Sequence, residues 1–304
     1  KQYFEPEDSE SFSQDSKSLN SSIISFNRDG ATLDNGEVIS SNGTSTTKLK
    51  EGYTFLNNSS SGIISSNNKD SISIGDKVIE LGSTIIAATM KNDILALVHS
   101  DNSISAYDLK SSKTIFKEYL NKSFVNDVKI ANPYFMSNIV LFPALDGKVV
   151  VVSTQNFKVV RTINVDASGK FNNITFLNVV DGTLVAATSN KIISVGDGVL
   201  NVKDYEIKDV ISHERNIYIA TIDGQIIKTD ISLNVQNRKK FKFAKIYALA
   251  FGESLYALES QGYLINISDD FKTETIYDFS FDEGDNVIAI GDTLYFDDEF
   301  IKLK

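Results

Sequence analysis

The sequence contains no cysteine, which removes disulfides, thiolate nucleophiles and cysteine-held zinc or iron–sulfur centres. It also has no tryptophan, only three prolines, and only two histidines in 304 residues. No apolar run approaches the roughly eighteen residues that a membrane-spanning helix needs. Positive charge is scarce: 30 Lys and Arg stand against 40 Asp and Glu, a net charge of −10. That balance argues against a nucleic-acid partner, whose phosphates require a basic face, and against adhesion to anionic lipid. There is no G-x-x-x-x-G-K-[ST] loop and no strand followed by G-x-G-x-x-G, so neither phosphate-binding pattern is available. Helical periodicity is not sustained over three turns anywhere, so essentially no helix is expected.

What the chain does have is one hairpin, repeated. Its cleanest copy is 138–153, NIVLFPALDGKVVVVS, in which two runs rich in β-branched residues flank Asp146-Gly147. Asp-Gly suits a two-residue hairpin because glycine takes a positive φ without steric cost. Further copies turn at Asp223-Gly224 (NIYIATI before it), at Gln261-Gly262 (SLYALE before it) and near Asp297-Asp298 (TLYF before it). A strand is expected over 124–130. Successive turns lie 34 to 45 residues apart. A drifting period of about forty with four short strands per period fits a β-propeller blade rather than a sandwich. The fold expected is an all-β propeller over residues 21–304, of about seven four-stranded blades, or eight short ones. The last unit supplies only three strands, so residues 22–27 are expected to dock as its outer strand and join the two ends of the chain. Residues 1–20, acidic, Ser-rich and poor in aliphatics, read as a flexible leader or tether. Lys1 in place of an initiator Met points to a processed or trimmed form.

The unit of strand, Asp-Gly turn, strand, short loop and charged strand reads NIVLFPALDGKVVVVSTQNFKVVRTINV in one copy and NIYIATIDGQIIKTDISLNVQNRKKFKF in another. It resembles the PQQ-like repeat propellers and, within them, the BamB-like lipoproteins, well over 80–304 and weakly over 22–80. The resemblance implies a periplasmic, outer-membrane-associated scaffold, lipid-anchored through a residue outside this chain. It also implies partners among envelope proteins such as the outer-membrane barrel-assembly components, with the chain a monomer inside a larger complex. The PQQ-dependent enzymes of this fold use a tryptophan docking motif and a vicinal disulfide; with neither Trp nor Cys here, the resemblance implies a cofactor-free, non-enzymatic member. Two other readings stay open: a structural component of another envelope machine, and a ligand-binding or enzymatic propeller with a central polar pocket.

Candidate chemistry is thin. His99 precedes Ser100-Asp101, but neighbours on a strand point to opposite faces, so a Ser-His-Asp relay is not expected from adjacency. His213, beside Glu214 and Arg215, reads as a turn residue. Residues 269–299 hold eleven carboxylates and a single basic residue, Lys272. The Asp282-Glu283-Gly284-Asp285 loop lacks the calcium-loop pattern, so this stretch is expected to be a solvated acidic face or a dock for a basic partner. No catalytic, cofactor or metal residue is assigned. The opposite charge is concentrated in 237–245, NRKKFKFAK. On a strand, Lys240 and Lys242 would face one way and Phe241 and Phe243 the other. This strip is either an edge strand guarded by lysines or a contact for an acidic partner carrying Arg238, Lys240 and Lys242. Pro133, Tyr134 and Phe135, in a loop expected over 131–138, are the remaining candidates for partner contact, unless they only cap a blade core.

Overall fold

The structure, a computed structural model, describes residues 2–125, 127, 129–169 and 172–304. Among these residues there are thirty-three strands and no helix. They fall into eight sheets, the blades of a β-propeller, each built on three or four consecutive strands in chain order, two of them joined by an N-terminal strand. The first four blades begin with Ile23–Phe26, Thr54–Ser59, Ile85–Lys91 and Tyr134–Met136. The last four begin with Phe176–Val180, Ile207–His213, Ile246–Phe251 and Val287–Ile290. Eight is the higher of the two counts that the sequence period allows. The early blades are short: Gly43–Ser45 already ends the first and Lys77–Glu80 the second. Of the strand expected over 124–130, Asn126 and Val128 lie outside the described residues.

The outer place on the eighth blade, expected for residues 22–27, belongs to another segment. Ile23–Phe26 opens the first blade, and Lys17–Ser18 pairs antiparallel with Glu299–Lys302. Glu10–Ser11 pairs in parallel with Glu274–Asp278 and gives the seventh blade a fifth strand. Residues 1–20, expected as a leader, thus contribute two strands, and Phe4 and Leu19 are buried.

The chain forms two compact units: residues 1–24, 179–185 and 193–304, and residues 25–178 with 186–192. Ile139–Pro143 and Lys148–Ser153, the second and third strands of the fourth blade, are covered on both faces and are therefore apolar along their buried stretch, Val140 to Pro143 and Val149 to Val152. The fourth strand has one covered face at most, and Val159–Asn164 is exposed at every position except Ile163. The second unit has a core of Leu56, Ile64, Ile72, Leu95 and Leu97. Beside it lies another, of Val98, Ile104, Val140, Phe142 and Val150. In the first unit the corresponding packing centres on Tyr218, Ile226, Leu249, Leu255 and Ile265.

The hairpin between the second and third strands has three loop residues, not the two expected from Asp-Gly alone. Ala144 N–H donates to Lys148 O at 2.8 Å, enclosing Leu145, Asp146 and Gly147. Gly147, Gly224 and Gly262 have φ of +78°, +84° and +96°, and Asn102 takes the same place in the third blade at +62°. This is a three-residue loop that ends on a left-handed residue. The carbonyl of that residue then accepts the N–H of the residue just beyond the fourth strand. Val165 donates to Gly147 at 2.9 Å, Phe241 to Gly224 at 2.8 Å, Phe279 to Gly262 at 2.8 Å and Leu120 to Asn102 at 3.3 Å. The fit leaves no space: a Cβ on Gly147 would lie 2.0 Å from Asp166 O, and on Gly224 2.3 Å from Phe241 O. Gly147→Ala is therefore expected to destabilise the chain by about 2 kcal/mol or more through left-handed strain and backbone clash together. Urea unfolding followed by circular dichroism measures it, and an unchanged midpoint would count against this account of the turn.

Candidate protein-interaction surface

The basic strip lies in the first unit. Val235–Lys240 is the fourth strand of the sixth blade, paired on one side only, with Gln225–Asp230. Alternation sends its side chains two ways. Asn237 and Lys239 turn towards the seventh blade, where Asn237 Nδ2 donates to Asp270 O at 3.1 Å and Lys239 pairs with Glu274. Arg238 and Lys240 turn the other way, Arg238 donating to the Tyr205 hydroxyl at 3.4 Å and Lys240 pairing with Asp223 at 3.1 Å. The Asp223 carboxyl is held at about 2, first by the Thr221 hydroxyl, then by Gln225 and Lys240. Lys240 and Asp223 keep about half of their side-chain surface in water, at 55% and 47%. Such a pair contributes about 1 kcal/mol at most and leaves the lysine available.

The strand stops at Lys240, so the expected pairing of Lys242 with Lys240 on one face, and of the two phenylalanines on the other, does not occur. Phe241 N–H goes to Gly224 O, and its ring is 6% exposed. Lys242 and Phe243 form the following turn, Phe243 at φ +65° and 39% exposed, with the Lys242 ammonium 4.9 Å from its ring centre. The result is an outward patch of Arg238, Lys240, Lys242 and Phe243. The carboxylates of 269–299 partly face this strip from the same unit. Besides Lys239–Glu274, the buried Lys228 reaches Asp269 at 2.8 Å. In the Asp282–Asp285 turn, Asp282 N–H donates to the Asp285 carboxylate at 2.9 Å. Burial and then Asp297, Asp282 and Asp298 push the Asp285 carboxyl up.

Sequence reasoning missed what lies beside the strip. Phe4 meets Phe241 and Tyr263 edge-on, ring centres 6.2 and 5.7 Å apart. Phe12 meets Tyr277 and Phe279 at 5.1 and 5.9 Å. Between them Glu5, Pro6, Glu7, Asp8 and Glu10 share a cleft of about 420 Å³ with Lys240, Phe241, Lys242 and Glu274 to Ile276. Each aromatic anchor contributes about 2–3 kcal/mol. The signal available in the sequence was the pair of phenylalanines eight apart in a segment otherwise without large apolar residues.

The second unit holds the other candidates. Tyr134–Met136 is the first strand of the fourth blade, not part of a loop. Pro133 is buried and its carbonyl accepts the Thr89 hydroxyl at 2.7 Å; Tyr134 is half-buried, and Phe135 leans on the Val140–Phe142 core. Nearby, Asn132 donates to the Asp29 carboxylate at 2.6 Å and to Leu56 O at 3.0 Å, and accepts Ala88 N–H at 3.0 Å. Burial pushes the Asp29 carboxyl up, against the pull of Asn132 and Arg28. This network ties first strands together and had no sequence signal. His99 is buried between two hydroxyls, Nδ1 at 2.5 Å from Ser83 Oγ and Nε2 at 2.6 Å from Ser105 Oγ. Asp101 bonds Ser103 instead, at 2.6 Å, so no relay forms through it. In the first unit His213 stacks on Phe251, ring centres 3.8 Å apart.

No family model matches the chain. It is similar to the plasminogen-binding protein PgbB of Helicobacter pylori. Identity is 35% over 204 residues in strain J99, covering 66% of this chain and 38% of that protein. In strain 26695 it is 30% over 310 residues, covering 85% of this chain and 57% of that protein. The chain therefore spans between a third and three fifths of the curated relatives it matches. Among solved structures, BamB from Moraxella catarrhalis superposes with a TM-score of 0.70 at 16% identity over 94% of this chain and 97% of that one. The computationally designed Ika8 protein follows at 0.64 and 14%, over 94% and 98%. Both likenesses are of fold alone: the chain shares the propeller fold of these two proteins.

Burial, then Lys117, lowers His99 to about 4, with Asp101 opposing. The folded state thus rejects a proton that the unfolded state takes up near 6.5. The stability His99 supports is complete above pH 6.5 and falls as pH drops from 6.5 towards 4, by about 3 kcal/mol in all. His99→Gln is expected to flatten that part of the stability–pH curve; equal slopes for the two proteins between pH 6.5 and 4.5 would contradict it.

Proposed function

We propose that this chain is a non-enzymatic protein-interaction propeller of the bacterial cell envelope, a cofactor-free scaffold of the periplasm held at the outer membrane. The observation that carries the reading is the edge of the sixth blade. There Arg238 and Lys240 share the outward face of a strand, with Lys242 and the exposed Phe243 beside them. Charged groups steer approach, and an exposed aromatic supplies the contact area that holds a partner. The propeller fold shared with BamB supports a role among envelope proteins such as the barrel-assembly components, the chain working as a monomer in a larger complex. Pro133, Tyr134 and Phe135 are a second proposed contact, through the half-buried Tyr134. The blade sequence supports a PQQ-like ancestry.

A second reading has its own observation. The 30–35% identity to PgbB, a plasminogen-binding protein, favours plasminogen as the partner. In-cell cross-linking of the tagged protein with mass spectrometry, and plasminogen binding on a sensor surface, separate the two. Arg238→Glu/Lys240→Glu/Lys242→Glu is expected to lower partner recovery about tenfold or more while changing stability by less than about 1 kcal/mol. Tyr134→Ala is expected to lower it less. Recovery of barrel-assembly proteins supports the scaffold reading, plasminogen binding alone replaces it, and partner recovery unchanged by the triple variant removes the sixth-blade edge from the function.

A further inference from the structure

The parallel strand on the seventh blade is unlike every other outer position. The remaining blades end on a strand that follows directly in the chain or, in the eighth, on an antiparallel partner. Here the segment from Phe4 to Phe12 has been laid along a finished edge. Glu10 and Ser11 lie beside Tyr277 and Asp278. A phenylalanine at either end fills an aromatic recess, Phe4 between Phe241 and Tyr263, and Phe12 between Tyr277 and Phe279. The stretch between is exposed on most of its residues and carries four carboxylates, Glu5, Glu7, Asp8 and Glu10, past Lys240 and Lys242 in the same cleft. Its features are those of a strand-added peptide ligand: main-chain pairing to an open edge, side-chain anchors in pockets, and charge matched to the rim.

We propose that this cleft is a binding groove for an extended acidic peptide with aromatic residues about eight positions apart, and that residues 4–12 occupy it as an internal ligand. A partner segment of the same chemistry enters by displacing them. The groove specifies its ligand by three separable features. Phe241 and Tyr263 select an aromatic at the first end, Tyr277 and Phe279 select one at the second, and Lys240 and Lys242 select carboxylates between. Because the internal segment is tethered, it competes at a high effective concentration, so the groove is closed to weak ligands and open to strong or multivalent ones. This deepens the protein-interaction reading and rests on it for biological meaning.

The test uses a fluorescent peptide of residues 3–13, YFEPEDSESFS, titrated by anisotropy into full-length protein. The chain carrying Phe4→Ala and Phe12→Ala, which frees the groove, is expected to bind it at least about tenfold more tightly than the intact chain. Glu5→Lys/Glu7→Lys/Asp8→Lys/Glu10→Lys, which keeps both anchors, releases the segment by charge and guards against a packing defect in the first variant. Adding Lys240→Glu/Lys242→Glu to the freed chain is expected to weaken binding about tenfold, and raising salt to weaken it likewise. A peptide with both phenylalanines replaced by alanine is expected not to bind. The proposal is overturned if both freed chains bind no better than the intact one, or if charge reversal leaves the affinity unchanged. It is also overturned if the freed chain self-associates with rising concentration, which would make a second copy the occupant. Peptide binding with unaltered partner recovery in cells would leave the groove standing and reject the functional reading, and the converse would do the opposite.

Discussion

One hydrogen bond recurs where a blade is most exposed to failure. A fourth strand has one neighbour and an open edge, so little holds it except the ladder to the third. The left-handed residue of the middle hairpin adds a fixed point: its carbonyl takes the N–H of the residue just past that strand, at Gly147, Gly224, Gly262 and Asn102. The turn between two buried strands therefore also sets where the outer strand ends. In the sixth blade this decides the candidate surface. Because Phe241 is held by Gly224, the strand stops at Lys240, the phenylalanine ring goes inward, and Lys242 and Phe243 are thrown into a turn. A loop of three residues thereby sets the geometry of a charged rim.

The hairpins were legible because their signal is local: β-branched runs on both sides of a residue that tolerates positive φ. Loop length was not, since Asp-Gly is compatible with both a two-residue turn and the last two positions of a three-residue one, and only the backbone distinguishes them. Blade number was obscured by averaging. The first, second and fifth blades are short and the third is long, so dividing the length by forty favoured seven. The strip at 237–245 was legible as charge but not as geometry. Alternation holds while the backbone stays extended, and nothing in the types Lys242 and Phe243 announces a left-handed turn. In the leader, two buried side chains, Phe4 and Leu19, and the partly buried Phe12 are too few to shift composition away from the range of unstructured chain. Yet Phe4 and Phe12 each land in a recess formed by residues more than two hundred positions away.

Charge in the first unit is arranged rather than merely negative. The acidic stretch 269–299 provides counter-ions for Lys228 and Lys239, which face inward or along the neighbouring blade, and none for the Arg238–Lys240 face. The Arg238–Lys240 face is thus cationic in a chain of net charge −10. The fifth blade's outer strand, Val199–Asp204, is of the other kind: Val199, Leu200 and Val202 are all about half exposed, with one lysine and one aspartate at its far end. Lysines discourage indiscriminate edge pairing, so these two outer strands of the first unit differ in how selectively they recruit a partner strand.

The two N-terminal strands differ in sense, and this has a mechanical consequence. Glu10–Ser11 runs parallel to its neighbour and Lys17–Ser18 antiparallel to the next, each through a two-residue ladder. A pull on the N-terminal side is borne by these contacts in series: Phe4 leaves first, then the parallel pair with Phe12, and only then the strand that completes the eighth blade. The seventh blade keeps its own four strands throughout, whereas the eighth drops to three. Peeling the segment from its N-terminal side would thus uncover the edge of the seventh blade before it took the outer strand from the eighth.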